Sequence, residues 1–121
     1  MKRVLIVDDH NLFRQVLAVV LEQHTDLKEN IQAGSLAEGR RVLADLNTKV
    51  DLAIVDLDLP EGDPTELIEH LRKVCIPVMA FTADPSLEWG GRALRAGAGE
   101  VLTPACSGEQ IIDTVERLVG G

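Results

Sequence analysis

Tyrosine is absent from this chain, and its aromatic complement is only Phe13, Phe81 and Trp89. A folded core must therefore be filled by aliphatic side chains. Cysteine is scarce as well: Cys75 and Cys106 show no CxxC or CxxH spacing, so neither a thiolate metal site nor a redox pair is read from them, and both are taken as buried or incidental thiols. No apolar stretch approaches the ~20 residues that a membrane span requires, and no signal-peptide layout opens the chain. A soluble, cytoplasmic protein is the expectation. Positive charge is in deficit, with 12 Lys+Arg against 20 Asp+Glu and a formal net charge of −8, which argues against direct contact with nucleic acid or an anionic membrane. No lysine occurs after Lys73, and the chain has no internal repeat, linker or low-complexity tract. What remains is ordinary globular material, 121 residues long, 45% apolar and 26% charged, sized for one domain over 1–121.

Three aspartates stand out against that background. Val4-Leu5-Ile6-Val7 and Leu52-Ala53-Ile54-Val55 read as short buried strands, and each hands over directly to carboxylate, at Asp8-Asp9 and at Asp56. An acid that closes a buried strand sits at the carboxyl edge of the sheet, where open α/β sheets bind their ligands. If the two strands are neighbours, three carboxylates share one crevice. At an effective dielectric of about 20 and ~5 Å spacing, each pair repels by roughly 3 kcal/mol. Such a cluster calls for a cation among the acids or for protonation, and oxygen-only ligands point to a hard ion such as Mg²⁺.

Along the chain, apolar runs alternate with helical patterns. Phe13, Val16, Leu17, Val20 and Leu21 recur at the spacing of one helical face. An extended segment over 28–33 is followed by Ser35, placed to cap a helix carrying Leu36, Leu43 and Leu46. After the Pro/Gly-containing loop 59–64, Thr65 to Val74 reads as a helix with Leu67, Ile68, Leu71 and Val74 inward. A fourth strand runs from Pro77 to Phe81 and ends at Thr82. Asp84-Pro85-Ser86 then opens a helix with Leu87, Ala93 and Leu94 as its apolar members, which Gly90 and Gly91 should keep short or mobile. Val101-Leu102 forms a brief fifth strand before a last helix with Ile111, Ile112, Val115, Leu118 and Val119. Five β–α repeats with short connections imply a doubly wound parallel sheet with helices on both faces, a flavodoxin-like (βα)5 α/β fold. His24 and His70 read as surface residues, His10 as a solvated helix-start residue beside the acidic pair, and Trp89 as either a partial core plug or an exposed anchor.

Over essentially its full length the chain resembles the receiver domain of bacterial two-component response regulators. The resemblance rests on Val4 to Asp9, on Val55-Asp56-Leu57-Asp58-Leu59-Pro60, on Phe81-Thr82-Ala83 and on Ala96-Gly97-Ala98. The stretch Asp8-Asp9-His10-Asn11-Leu12-Phe13-Arg14 is similar to the subset with LuxR-type DNA-binding output domains. The resemblance implies a regulatory domain rather than an enzyme. Asp56 would accept a phosphoryl group from a histidine kinase or phosphotransfer protein, and Thr82 would donate its hydroxyl to a phosphoryl oxygen. Asp9 would bind Mg²⁺ directly and Asp8 mainly through water, with the backbone carbonyl of Asp58 as another ligand. Partners, a second copy or an output domain, would meet the surface of the fourth helix, fifth strand and fifth helix. A DNA-binding domain is expected beyond Gly121 if the chain is part of a longer one.

The chain also departs from this family. Receivers normally carry a lysine just after the fifth strand, usually followed by proline; here Thr103-Pro104 stand there, or Pro104 itself in an ungapped reading from Gly97. Losing that cation–phosphate contact removes something on the order of 3 kcal/mol of stabilisation. Arg92 or Arg95 are the candidate substitutes. Val101 replaces the aromatic residue whose rotation accompanies activation in the family, and Asp58 and Asp84 add negative charge near the pocket. Together these changes favour a receiver that binds metal but is phosphorylated poorly, the alternative being ordinary phosphorylation with altered rates. A rival of another class comes from Asp56-Leu57-Asp58, which is similar to the Asp-x-Asp of haloacid-dehalogenase-type phosphohydrolases. That motif belongs at the first strand of a longer chain with a downstream lysine.

Overall fold

A computed structural model describes residues 2–45, 47–60, 62–83 and 88–120. The expectations for Leu46, for the Asp84-Pro85-Ser86 helix opening and for Leu87 lie outside the described residues. Strands and helices alternate as the hydrophobic pattern demands: β1 (Lys2–Val7), α1 (Asn11–His24), β2 (Leu27–Ala33), α2 (Leu36–Ala44), β3 (Leu52–Asp56), α3 (Thr65–Lys73), β4 (Val78–Phe81), α4 (Glu88–Ala96), β5 (Glu100–Leu102) and α5 (Gly108–Gly120). The strands form one parallel sheet in the order β2-β1-β3-β4-β5. This is the flavodoxin-like order, with its switch point between β1 and β3.

Strand pleating splits the core in two. Val4 and Ile6 of β1 pack with Leu17 and Leu21 of α1 and Val115 of α5, while Leu5 and Val7 pack with Leu67, Ile68 and Leu71 of α3 and Ala93 of α4. Every residue of β3 is buried, as a central strand covered on both faces must be. Phe13 and Phe81 meet edge to face, with centroids 5.5 Å apart and planes at 87°. Ser35 caps α2 as expected: its Oγ accepts from the Glu38 amide at 3.1 Å, and Glu38 Oε2 accepts from the Gly34 amide at 2.9 Å.

Several inward assignments fail. Val16, Val74 and Leu94 are half exposed, at 52%, 50% and 51%. The sheet covers only part of each helix, and these residues fall just past the rim of the buried stripe. Val74 lies beyond the last turn of α3 as its C-cap, so no helical face carries it inward. The helix carrying Gly90 and Gly91, α4, runs nine residues from Glu88, short beside the 14 of α1 and 13 of α5, as expected. Trp89 is half buried and packs against the core with the Arg92 guanidinium 4.5 Å above its ring, so it serves as a partial plug.

The ends of α3 and α4 share one device. At α4, the Gly97 amide donates to Leu94 O and the Ala98 amide to Ala93 O, with Gly97 at φ +125. At α3, Cys75 donates to Arg72 O and Ile76 to Leu71 O, but the left-handed position is held by Cys75 at φ 62. A side chain there costs roughly 1–2 kcal/mol. Cys75→Gly is therefore expected to stabilise the fold by about 1 kcal/mol after the extra chain entropy of glycine is counted. A urea midpoint that falls instead would mean that the exposed Cys75 side chain contributes packing.

Candidate functional site

In β1 and β3, Val7 lies opposite Val55, so Asp8 and Asp56 leave the sheet side by side. Asp56 is paired with Phe81, and Phe81 with Leu102, which sets Thr82 and Thr103 next in line along the same edge. The Thr82 amide donates to the Leu102 carbonyl at 3.0 Å, and the Leu57 amide to the Phe81 carbonyl at 2.8 Å. Parallel register thus brings Asp8, Asp9, Asp56 and Thr82 to one edge, although they lie as much as 74 positions apart in sequence (82 − 8).

Asp8 and Asp56 are buried and Asp9 is exposed. Asp8 folds the turn into α1 by accepting the His10 amide at 2.8 Å. The His10 ring lies over the mouth, its Nδ1 3.1 Å from Oδ1 of both Asp8 and Asp9. The hydrogen bond to Asp8, then the charges of Asp9 and Asp8, raise the His10 pKa above its usual value. His10 is thus solvated, as expected, yet it also faces the acids. Its adjacency in sequence is the signal that points to this. One ligand atom from each of Asp8, Asp9, His10 and Asp56 lies within 4.8 Å of the others. Carboxylate oxygens at this spacing fit a small hard cation.

Asp56 is pushed up to about 6, chiefly by burial; the Asp58 amide, donating to Asp56 Oδ1 at 2.8 Å, opposes this, and the charges of Asp8, Asp58 and Asp9 add to it. Burial thus makes this carboxyl a stronger proton holder than an exposed aspartate. The side chain of Asp58 is engaged, which the sequence does not indicate. Its Oδ1 accepts the Thr82 hydroxyl at 3.0 Å, and its Oδ2 accepts the Ala83 amide at 2.6 Å.

The candidate arginines are engaged elsewhere. Arg92 pairs with Asp63 at 3.3 Å and lies over Trp89, while Arg95 lines a surface groove with Arg72 and Lys73. Asp63 itself opens α3, its Oδ1 accepting the Thr65 hydroxyl and amide, and these bonds hold its carboxyl below the usual range. Arg14 reaches the backbone carbonyl of Asp8 rather than a carboxylate of the cluster. Among the described residues, the only side-chain ion pairs to the clustered acids come from His10. Cys75 is exposed, and burial pushes the Cys106 thiol up, away from the reactive thiolate form.

Comparison with known proteins agrees with this geometry. A family model described as the response regulator receiver domain matches residues 4–116. The chain is 32% identical over 120 residues to the transcriptional regulatory protein UhpA of Escherichia coli, covering 98% of this chain and 59% of that protein. It superposes on a CheY-like receiver domain protein from Methanospirillum hungatei with a TM-score of 0.87 at 26% identity, over 99% and 94% of the two chains. A LuxR-family DNA-binding response regulator from Staphylococcus aureus shares the fold at 17% identity, with a TM-score of 0.83 over 98% of each chain. The chain spans little more than half the length of the curated relatives it matches. Asp56 closes the third strand rather than the first, which together with the family match sets the phosphohydrolase alternative aside. The chain belongs to the response regulator receiver domain family of two-component signalling.

Proposed function

We propose that this receiver is a switch whose phosphoacceptor is Asp56 and whose phosphorylation is weak. The observation that carries the reading is the meeting of Asp8, Asp9 and Asp56 within one ion's reach, beside Thr82 on the adjoining strand. In the transfer, an Asp56 carboxylate oxygen attacks phosphorus while the P–N bond of a donor phosphohistidine breaks and its electron pair leaves on the imidazole nitrogen. Asp8, Asp9, Asp56 and the backbone carbonyl of Asp58 would hold Mg²⁺. When bound, the ion neutralises charge that builds on the phosphoryl oxygens. Thr82 would donate to one of those oxygens.

The weakness follows from the far side of the pocket. The residue that follows β5 is Thr103, and no lysine occurs after Lys73, while Arg92 is spent on Asp63 and Trp89. Val101, half buried on β5, offers no ring to follow a movement of Thr82. The 59% coverage of UhpA supports the receiver half of a longer transcription regulator, and the resemblance of the stretch from Asp8 to Arg14 supports a DNA-binding output domain of LuxR type. A histidine kinase or phosphotransfer protein would be the donor. Half-exposed Leu94 of α4 suits contact with an output domain or a second copy.

Intact-mass measurement after incubation with Mg²⁺ and acetyl phosphate is the test. We expect at most a small fraction carrying one phosphoryl group, and none in Asp56→Asn. A stoichiometric adduct that Asp56→Asn abolishes would restore the alternative of an ordinarily phosphorylated receiver. An adduct that persists in Asp56→Asn would remove Asp56 from its role.

A further inference from the structure

The carboxylate of Asp58 spans two donors on a neighbouring strand end, the Thr82 hydroxyl at 3.0 Å and the Ala83 amide at 2.6 Å. Two convergent donors, one hydroxyl and one backbone N–H, form an anion-binding pair, and here the anion belongs to the protein. The arrangement is fixed at its other end too, because the Asp58 amide donates to Asp56 Oδ1 at 2.8 Å. Asp58 therefore bridges the loop after β3 to the end of β4, directly beside the proposed phosphoacceptor.

We infer that Asp58 is a positioning residue that occupies, with its own carboxylate, the donors an incoming phosphoryl group would use, and so holds the pocket in its unmodified state. This inference rests on the reading of Asp56 as phosphoacceptor. Each donor has a single hydrogen, so Thr82 and Ala83 cannot serve Asp58 and a phosphoryl oxygen together. A phosphoryl group must displace a charge-assisted pair before it gains its own contacts. It must also approach a second negative charge that Asp58 places against Asp56. No lysine occurs after Lys73 to offset either cost.

Alanine at position 58 keeps the backbone carbonyl and the amide bond to Asp56 while removing the carboxylate. The test is a titration of the ¹⁵N-labelled protein with beryllofluoride in Mg²⁺, which mimics a phosphoryl group on a carboxylate, followed at the Thr82 and Ala83 amides. Asp58→Ala is expected to bind about tenfold or more tightly than the unsubstituted protein, with Asp58→Asn between them. Before any ligand is added, the Ala83 amide proton of Asp58→Ala should shift upfield and exchange faster with solvent. A role confined to overall stability would move neither this one resonance selectively nor the order of the three affinities. Equal or weaker binding by Asp58→Ala overturns the inference and leaves Asp56 as phosphoacceptor. An Ala83 amide unchanged by the substitution overturns it as well, since the bridge would then be absent in solution. If no form binds, the phosphoacceptor reading falls and this inference with it.

Discussion

Truncating Phe81 to alanine is expected to remove about 3–5 kcal/mol of folding stability, a large share of the roughly 5–15 kcal/mol available to a domain. Phe81 is 2% exposed at the end of β4, edge to face with Phe13. The chain has no tyrosine and only one further aromatic residue, Trp89 on the opposite face, so no other ring can fill the void. Surrounding aliphatic side chains are tied to their own strands and collapse only in part. The damage also reaches the site, because the carbonyl of Phe81 receives the Leu57 amide and its chain neighbour is Thr82. Phe81→Leu keeps most of the volume and should lose about 1–2 kcal/mol. Urea unfolding followed by circular dichroism separates the two variants; equal midpoints for Ala and Leu would show that the ring is not what holds this end of the sheet.

The second large effect has the opposite sign. Asp56→Asn is expected to stabilise the metal-free protein at pH 8. Burial raises the Asp56 pKa from 3.8 to about 6, so the folded chain holds this proton more tightly than the unfolded chain does. The resulting stabilisation is fully present below the unfolded pKa and is lost as pH rises through the folded one, between about 4 and 6. A shift of this size corresponds to about 3 kcal/mol at most, and about 1–2 kcal/mol once solvent screening at the open mouth is allowed for. Asparagine has no charge to desolvate, so the gain should appear at pH 8 and vanish near pH 4. Magnesium should reverse the ranking by stabilising the parent, by about 2.7 kcal/mol at a hundredfold excess over its dissociation constant. Matching pH profiles for the two proteins in chelator would refute the argument.

The range of each interaction decides how much of it the amino-acid sequence makes legible. Alternation of apolar runs and helical stripes is local, and it places the strands near Val4–Val7, Leu52–Asp56 and Val78–Phe81 because buried parallel strands are continuous apolar runs. The acids can be located because Asp8 and Asp56 each close such a run. Their meeting depends on register, which no single segment carries. The same limit hides the side chain of Asp58: its partners lie 24 and 25 positions ahead, on another strand end. Its spacing from Asp56 is visible in the sequence, where it reads as added charge, a backbone-carbonyl ligand or half of an Asp-x-Asp pair, but not as a bond to Thr82 and Ala83. Val16 and Leu94 are misjudged for a different reason, since periodicity shows the direction of a stripe and not its width. Cys75 cannot be anticipated, because a left-handed cap occupied by a non-glycine residue leaves no mark in the sequence.

The order of the strands has a consequence for solubility. A sheet that ends in two open strands offers templates for other chains, and proteins blunt such edges with charge or brevity. Here one outer strand, β2, carries Lys28 and Glu29, with Lys28 reaching back to the Glu22 carbonyl at 2.7 Å. The other, β5, is three residues long. A foreign strand therefore finds charge at one border and too little length at the other. Neither border thus offers the long, uncharged template on which a continuous sheet between molecules could grow.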